Sequence, residues 1–484
     1  MTHPRQTHRT LTLIAIMLAT FMAAMEMTVV STAMPAVVGE LGGIHLYAWV
    51  FTGYMLSATV MVPIFGKLAD LYGRKPMILF GIAVFLLGSI GSGLSTTMLQ
   101  LVIFRVVQGF GAGAMQPISI TIIGDMYSLE ERAKVQGMVG AIWGLAGLVG
   151  PLLGGAIVEW LTWHWIFFIN VPFGVLAAVV LVAAFHERIE KRAHALDYAG
   201  AALLSGAILC LLAAASGGVG VWPVGVASLL LVGFVAVERR APEPVLPLAL
   251  LRDRVIGLSN LAGALVGAAM MSTVTYVPLF VQGIAGGSAT DAGRAITPMV
   301  IAWPIFSTLG GELIPRVGFR PVIRAGLALT AGSALLLALL LEPGLPIWAI
   351  GSIMAGYGAG LGLANTALLL AVQTAVDWRQ RGVATASTMF FRTIGGALTV
   401  GALGGLIAAG IANVPGVPPG AADELLGPDH GRSLPVALLR SLSSALADGL
   451  HTSFLVIAAL AILALAVGLA FPRPTPSPER VPAA

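Results

Sequence analysis

The chain alternates between long apolar runs and short breaks that contain glycine, proline or charged residues. Each run approaches the roughly 20 residues that a helix needs to cross a bilayer. Counting the runs predicts fourteen membrane-spanning helices, with approximate cores at residues 11–34, 47–66, 77–95, 99–123, 137–158, 165–185, 199–216, 222–237, 255–281, 293–313, 322–341, 346–371, 383–411 and 451–471. The pattern therefore predicts an all-α membrane protein.

Composition supports this interpretation. The 484 residues are 57% hydrophobic and only 10% charged, whereas a soluble domain carries roughly 25% charged residues. The basic residues are scattered through short loops, which argues against nucleic-acid binding and points to membrane topology. One cysteine, Cys210, excludes an internal disulfide.

The distribution of basic residues predicts the orientation of the chain. With the N-terminus inside, 21 of the 26 Lys and Arg residues fall in inner loops and tails, three in outer loops and two within spans. This asymmetry is what the positive-inside rule expects for an even number of spans. We expect a multi-pass protein of the inner (plasma) membrane with both termini in the cytoplasm.

An internal repeat divides the chain into two halves. Residues 66–76 are echoed by residues 311–321 at an offset of 245, and residues 109–114 by residues 356–361 at an offset of 247. The first echo follows the second span of each half, and the second lies in the fourth span of each half. Two parallel six-helix units with spans 7 and 8 inserted between them explain both echoes.

The predicted domains follow from this repeat. An N-terminal six-helix bundle occupies residues 1–190, two inserted transmembrane helices occupy 191–250, and a C-terminal six-helix bundle occupies 251–484. The C-terminal bundle includes a long outer loop at 412–449. Within that loop, residues 434–446 are either an amphipathic helix on the membrane surface or disordered.

Two ionisable residues lie inside spans at matching depth. At ~1.5 Å per residue, Glu26 is about 22 Å along its span from Leu11, and Arg105 is about 9 Å along from Leu99. Both therefore lie roughly 8–9 Å below the outer edge of a ~30 Å hydrocarbon core. Charges at such depth are functional candidates by default. We expect an ion pair or shared water network, with Glu26 exchanging protons; the alternative is a fixed structural ion pair.

Polar groups near Arg105 suggest a cavity. Gln108 and Gln116 share its helix face and form a polar stripe, which either faces a water-filled cavity or bonds neighbouring helices. Arg392 lies near the middle of span 13 with no acidic residue at similar depth in the second half. It either bonds carbonyl groups or receives an anionic part of a substrate.

Two tryptophans fall inside spans rather than at their ends. Trp143 and Trp303 are candidates for an adaptable apolar pocket, and ordinary core packing is the alternative.

A charged turn and its surroundings form a candidate cytoplasmic gate, made of Gly66, Asp70, Gly73, Arg74, Lys75, Asp125 and Arg132. Opposite charges on this surface can latch the inner face closed when a cavity opens outward, which gives a two-state contact. The alternative for Arg74 and Lys75 is simple anchoring of the topology.

Span 5 contains Gly150, Pro151, Gly154 and Gly155. Proline kinks a helix, and glycine lets another helix approach closely. Packing alone also explains this composition.

These stretches resemble known motifs. Residues 66–76 resemble the G-x-L-a-D-r-x-G-r-k-p signature of the major facilitator superfamily of transporters. Residues 25–35 and 163–172 look like motifs of its fourteen-span drug:proton antiporter family, and residues 150–155 resemble the antiporter motif of exporters in the superfamily.

The resemblance implies the major facilitator fold, alternating access, and proton influx that drives export of hydrophobic, often cationic compounds. It assigns the proton and coupling roles to Glu26 and Arg105. The chain departs from the family pattern in having Glu26 where aspartate is more usual. It also lacks further acids in later spans, which disfavours dicationic cargo and leaves monovalent cations, neutral lipophiles or lipids.

The sequence thus predicts proton-coupled export of lipophilic compounds by a monomer in contact with membrane lipid, without a cofactor, a bound metal or a nucleic-acid partner. A dedicated exporter of a lipid, amino acid or secondary metabolite is the main alternative, and sodium coupling stays open. A membrane sensor is less favoured because the tail after Phe471 is short, and an enzyme because no His joins a catalytic set within a span.

Overall fold

The computed structural model describes residues 7–127, 129–187, 198–215, 222–241, 248, 250–376, 381–415, 417–418, 421 and 435–472. Within these residues the long elements are α-helices: α1 (Arg9–Leu41), α2 (Tyr47–Tyr72), α3 (Arg74–Gly93), α4 (Met98–Met126), α5 (Leu129–Trp160), α6 (Trp165–Phe168), α7 (Asn170–Ala184), α8 (Tyr198–Ala215), α9 (Trp222–Glu238), α10 (Arg254–Gly283), α11 (Ala289–Val317), α12 (Phe319–Leu340), α13 (Ile347–Ala375), α14 (Arg381–Ala412) and α15 (Val436–Leu469). Short 3-10 turns precede α2 at Ile44–Leu46 and α10 at Leu250–Arg252.

The helices coincide with the apolar runs of the sequence. Nine helices in the described part of the chain are long and apolar enough to cross a membrane, and shorter apolar helices cover residues 144–160, 199–211 and 222–238. The short helices α6 and α7 share the sixth predicted run. The chain is therefore an all-helical, multi-pass membrane protein with about fourteen helices.

The helices form two groups joined along a seam. In the first group α1 packs on α5 and α7, while α2 and α3 pack on α4. In the second group α10 packs on α14 and α15, while α11 and α12 pack on α13. Across the seam α5 contacts α11 and α2 contacts α14. The inserted helices α8 and α9 pack on each other, and α8 touches both α2 and α14.

The first sequence echo is a repeated turn. Gly73 precedes α3 with φ 96°, and Gly318 precedes α12 with φ 82°. Both values lie in the region that side chains disfavour, so glycine is required at each position. The two halves therefore reverse the chain at equivalent points with the same backbone device.

The second sequence echo does not align the glycines that pack in equivalent ways in the two halves. In each half, two glycines lie where a Cβ atom would clash with carbonyl oxygens of the neighbouring helix: Gly109 and Gly113 against Tyr54 and Ala58, and Gly358 and Gly362 against Met299 and Trp303. The carbonyl partners are 245 positions apart, whereas the glycines are 249 apart and not 247. The cause is extra chain between the two elements, because α12 has 22 residues against 20 in α3, and the following loop is also longer.

The last helix begins earlier than the sequence suggested. Residues 436–449, assigned to the outer loop, are the first turns of α15. Leu442 and Leu446 are buried there, and Gly449 lies against Ile407 of α14. This stretch is helical because one of its faces packs on the second group. Residues 422–434 of the predicted loop lie outside the described residues.

We expect close helix packing, rather than glycine content as such, to stabilise the fold. A Cβ at Gly360 would lie 2.5 Å from the Thr330 nitrogen and 2.7 Å from the Gly326 oxygen, whereas nothing lies within 4 Å of one at Gly332. Gly360→Ala should lower stability by about 1–3 kcal/mol through overpacking. The matched Gly332→Ala should stay within about 0.5 kcal/mol. Thermal unfolding of both variants in one detergent checks this, and equal shifts would contradict it.

Candidate functional site

A buried ion pair joins the first and fourth helices. Glu26 of α1 and Arg105 of α4 are each 1% exposed, and the Arg105 guanidinium donates directly to the Glu26 carboxylate. The depth match in the sequence predicted this contact, and the structure places the pair as expected. The proton-exchange role of Glu26 stays a prediction.

The pair is embedded in a network of neutral polar side chains. Asn170 donates its amide to the second Glu26 oxygen and, at 3.0 Å, to the Ser89 hydroxyl. Gln108 accepts from Arg105 at 2.6 Å and donates to Ser89 at 3.1 Å. Both carboxylate oxygens of Glu26 are thus acceptors, which is the bonding pattern of an ionised carboxylate. The network links α1, α3, α4 and α7.

Arg105 has further partners on α2. Its Nε donates to the Val50 carbonyl at 3.2 Å, and its guanidinium carbon lies 4.2 Å from the centroid of the Tyr54 ring. A cation over the face of an aromatic ring is stabilised by the ring quadrupole. The positive charge therefore keeps partners on α2 that do not depend on the charge state of Glu26.

Two members of this network were missed from the sequence. Asn170 falls within the 163–172 motif, where it was read as part of a family signature and not as a ligand of Glu26. A lone amide residue inside an apolar span was the signal that could have singled it out. Ser89 gave no such signal, because serine is common in spans and its hydroxyl often bonds its own helix.

The predicted cytoplasmic gate is anchored within the first group. Arg74, at the start of α3, forms an ion pair with Asp125 at the end of α4. Glu187, after α7, accepts from the backbone amides of Arg74 at 2.7 Å and Lys75 at 3.1 Å. Lys75 donates to the carbonyls of Val182 and Phe185 at the end of α7. The side chains of Glu187 and Lys75 therefore bond backbone amides and carbonyls at helix ends, where such groups have no partner within their own helix.

The structure brings together only part of the predicted gate. Its contacts tie α3, α4 and α7 to one another, and the sequence analysis did not include Glu187. Among the described residues, no hydrogen bond or ion pair joins this cluster to the second group. Gly73 supplies the turn, while the side chains of Gly66, Asp70 and Arg132 lie outside the described part of the chain.

The glycines of α5 let it pack on two neighbours. A Cβ at Gly150 or Gly154 would clash with the threonine hydroxyls of α1 at Thr28 and Thr32. One at Gly155 would lie 2.7 Å from the Cα of Thr290 on α11. Pro151 lies inside the same helix. This predicted motif therefore sits on the seam, with one face on its own group and the other on the second group.

The seam is closed on the predicted outer side. The Tyr47 hydroxyl donates to the Thr275 carbonyl at 2.9 Å, and the Gln282 amide donates to the Thr32 carbonyl at 2.9 Å. These residues lie at the ends of their helices away from the predicted cytoplasmic gate. The structure therefore has the two groups joined at the outer ends of their helices.

A cavity lies between α10, α11, α13 and α14. Its volume is about 580 Å³, including its open mouth, and Trp303 and Arg392 line it together. Neither of the two predicted glutamines lines this cavity: Gln108 is committed to the buried network, and Gln116 is exposed on α4, where a cavity role stays a prediction. The side chain of Trp143 is outside the described residues.

Metal binding has no support from the geometry. No group of three or more His, Cys, Asp or Glu residues in the described ranges is arranged to hold an ion. The buried network provides charge pairing and hydrogen bonding.

Comparison with known proteins agrees with this architecture. Residues 16–400 match the family model described as Major Facilitator Superfamily. The chain is 36% identical to "Multidrug transporter protein MdtP" of Bacillus subtilis (strain 168), over 96% of this chain and 93% of that protein. It is 35% identical to "Multidrug resistance protein 3" of the same organism, over 82% of this chain and 80% of that protein.

Solved structures share the fold at low sequence identity. A bacterial homologue of the human lysosomal transporter Spinster, in an inward-facing and occupied conformation, gives a TM-score of 0.70 at 17% identity, over 97% of each chain. A D-xylose-proton symporter gives 0.66 at 13% identity, over 96% of this chain and 98% of the other.

We expect the Gly155 contact to control closure of the outer side. Gly155→Ala places a methyl group against the backbone of Ala289 and Thr290, so α5 and α11 cannot approach as closely. A cysteine at Thr275, in a Cys210→Ser background, should then react several-fold faster with a polar maleimide than in the parent protein.

The control is Gly225→Ala, because nothing lies within 4 Å of a Cβ at that glycine of α9. It should leave the labelling rate unchanged. An unchanged rate in Gly155→Ala as well would show that this contact does not govern closure.

Proposed function

This chain belongs to the Major Facilitator Superfamily, and from that premise we propose that it exports lipophilic small molecules by alternating access, driven by protons that flow inward. The coarser part of this statement is established by the family match and by relatives named as multidrug transporters: the chain is a multi-pass membrane transporter and not an enzyme. Proton coupling, antiport and the nature of the cargo are the proposal.

The observation that carries proton coupling is the Glu26 network. A carboxylate in an apolar interior needs a counter-charge, and Arg105 supplies it here. A proton on Glu26 would remove that charge and the acceptor pattern that Arg105 and Asn170 now satisfy. Protonation would therefore change the bonds between α1, α4 and α7, which is how a proton can bias a two-state structure.

The closed seam and the cavity support alternating access. The hydrogen bonds from Tyr47 and Gln282 join the two groups near the predicted outer side. At ~1.5 Å per residue, Arg392 lies about 17 Å from the cytoplasmic start of α14, and Asn365 about 27 Å from the outer start of α13. The cavity thus lies in the inner half of the second group, as an inward-open state requires.

In the state that opens outward, the predicted cytoplasmic gate would close the inner side. The cluster around Arg74, Asp125 and Glu187 is already rigidified by its own helix ends. We propose that the second group docks against this cluster when the outer seam opens. The same proposal includes fourteen spans, the 1–190, 191–250 and 251–484 domains, both termini in the cytoplasm and a plasma-membrane location.

The relatives favour efflux over uptake. Two proteins at 35–36% identity carry names that refer to multidrug transport or resistance, and "Efflux pump dotC" of Dothistroma septosporum is 31% identical over 80% of this chain and 70% of that protein. Export of cationic or neutral lipophiles is accordingly the proposed activity, with membership in the fourteen-span drug:proton antiporter family.

The test is transport by the purified protein in proteoliposomes. An imposed proton gradient should drive movement of a fluorescent monovalent cation in the wild type, and Glu26→Gln should reduce this to the rate of protein-free vesicles because the carboxylate can no longer carry a proton. Glu342→Gln, which removes an exposed carboxylate, should transport normally.

The outcomes separate the parts of the proposal. Gradient-driven transport that persists in Glu26→Gln would show that coupling lies elsewhere. If the folded wild type moves no dye, multidrug export is wrong and a dedicated cargo must be sought.

A further inference from the structure

The cavity of the second group contains a cation that the protein does not pair. Arg392 is half-buried and lines the cavity, yet none of the ion pairs or hydrogen bonds among the described residues satisfies its guanidinium. Its backbone is held firmly, because Gly267 of α10 lies where a Cβ would meet the Arg392 carbonyl oxygen. The contrast with Arg105, which has an acid, an amide and a carbonyl as partners, is direct.

A second unpaired donor lies in the same cavity. Asn365 also lines it, and its amide nitrogen is buried without a hydrogen-bond acceptor in the described part of the structure. A buried donor left unsatisfied costs about 1–3 kcal/mol. Together with the unpaired guanidinium of Arg392, the Asn365 amide gives the cavity two donors for which a bound ligand can supply acceptors.

The other polar groups of the cavity are already committed. The hydroxyls of Ser307 and Thr366 bond each other at 2.5 Å, and Thr388 donates to Asn260 at 2.9 Å. Two groups of the described lining that have no partner are the Arg392 guanidinium, which is positively charged, and the amide nitrogen of Asn365. The described lining contains no carboxylate, so its one formal charge is the positive charge of Arg392.

The rest of the lining is apolar. Trp303 and Met389 face the cavity together with Leu368 and Leu369. A flat aromatic side chain and a flexible thioether accommodate varied apolar bodies.

We propose that this cavity binds amphipathic organic anions, with the carboxylate, sulfonate or phosphate of the ligand at Arg392 and Asn365 and its apolar body against Trp303. The inference rests on the proposed transport function in that such anions would be cargo. It extends that function, because the family resemblance led us to expect cationic or neutral compounds.

Binding to the purified full-length protein in detergent tests this without any gradient. The probes are 1-naphthaleneacetate and its neutral analogue 1-naphthaleneacetamide, measured by equilibrium dialysis. The acid should bind at least about tenfold more tightly than the amide, as charge-assisted hydrogen bonds from Arg392 predict. Arg392→Gln should weaken binding of the acid at least about tenfold and of the amide less than about twofold.

Three further variants keep the test decisive. Arg392→Lys should bind the acid with intermediate affinity, because lysine keeps the charge and loses the planar fork. Asn365→Val should weaken binding of the acid even if Arg392→Gln fails to fold. Arg294→Gln, which removes an exposed charge 3.4 Å from Asp291, is the control and should bind both probes normally.

The proposal is overturned if the folded wild type binds acid and amide equally or binds neither, or if Arg392→Gln weakens both to the same extent. Glu26→Gln should bind the acid normally, so a failure of proton coupling leaves this test standing. Displacement of the acid by dihexanoyl phosphatidylglycerol would support the anion site with a lipid as its natural source. Absence of displacement would support a free organic anion.

Discussion

A carboxylate and a guanidinium buried together in an apolar interior are the interaction on which the first half of the molecule depends. Taking either ion alone out of water costs several kcal/mol, so Glu26 and Arg105 require each other. Their remaining bonds reach α2 and α7, and Gln108 and Asn170 extend the network to Ser89 of α3, so five helices meet around the pair. The same dependence is why we propose the pair as a switch, because a proton on Glu26 would remove the charge that Arg105 balances.

Close backbone packing transmits this local change to the seam. Helices in lipid gain little from burying apolar surface and associate through tight contact. Gly150 and Gly154 bring α5 against α1, which carries Glu26, while Gly155 brings the same helix against α11. A shift of α1 can therefore reach the second group through α5, and also directly through the bond from Gln282 of α10 to the Thr32 carbonyl of α1. The repeated glycine contacts let the helices within each half pack at close range.

Much of this could be predicted from the sequence, for physical reasons. Because bilayer thickness and helix rise are known, the apolar runs could be assigned as spans and the matching depth of Glu26 and Arg105 could be predicted. Asn170, Ser89 and Glu187 could not be singled out, because neutral hydrogen-bond partners and loop acids depend on helix rotation and chain path. The early start of α15 could not be predicted because polar residues interrupt its first turns. The offset between equivalent glycines could not be predicted because the lengths of helix and loop differ between the halves.

The measurement that tests the central claim most directly is proton release when cargo binds. Purified protein in weakly buffered detergent solution, with a pH indicator, is mixed with a transported compound. In solution acidic enough that Glu26 is protonated before the cargo is added, exchange at Glu26 predicts release of protons by the wild type and by Glu342→Gln, and none by Glu26→Gln at equal cargo binding. Equal release by Glu26→Gln would contradict the account and leave the buried pair as a structural element.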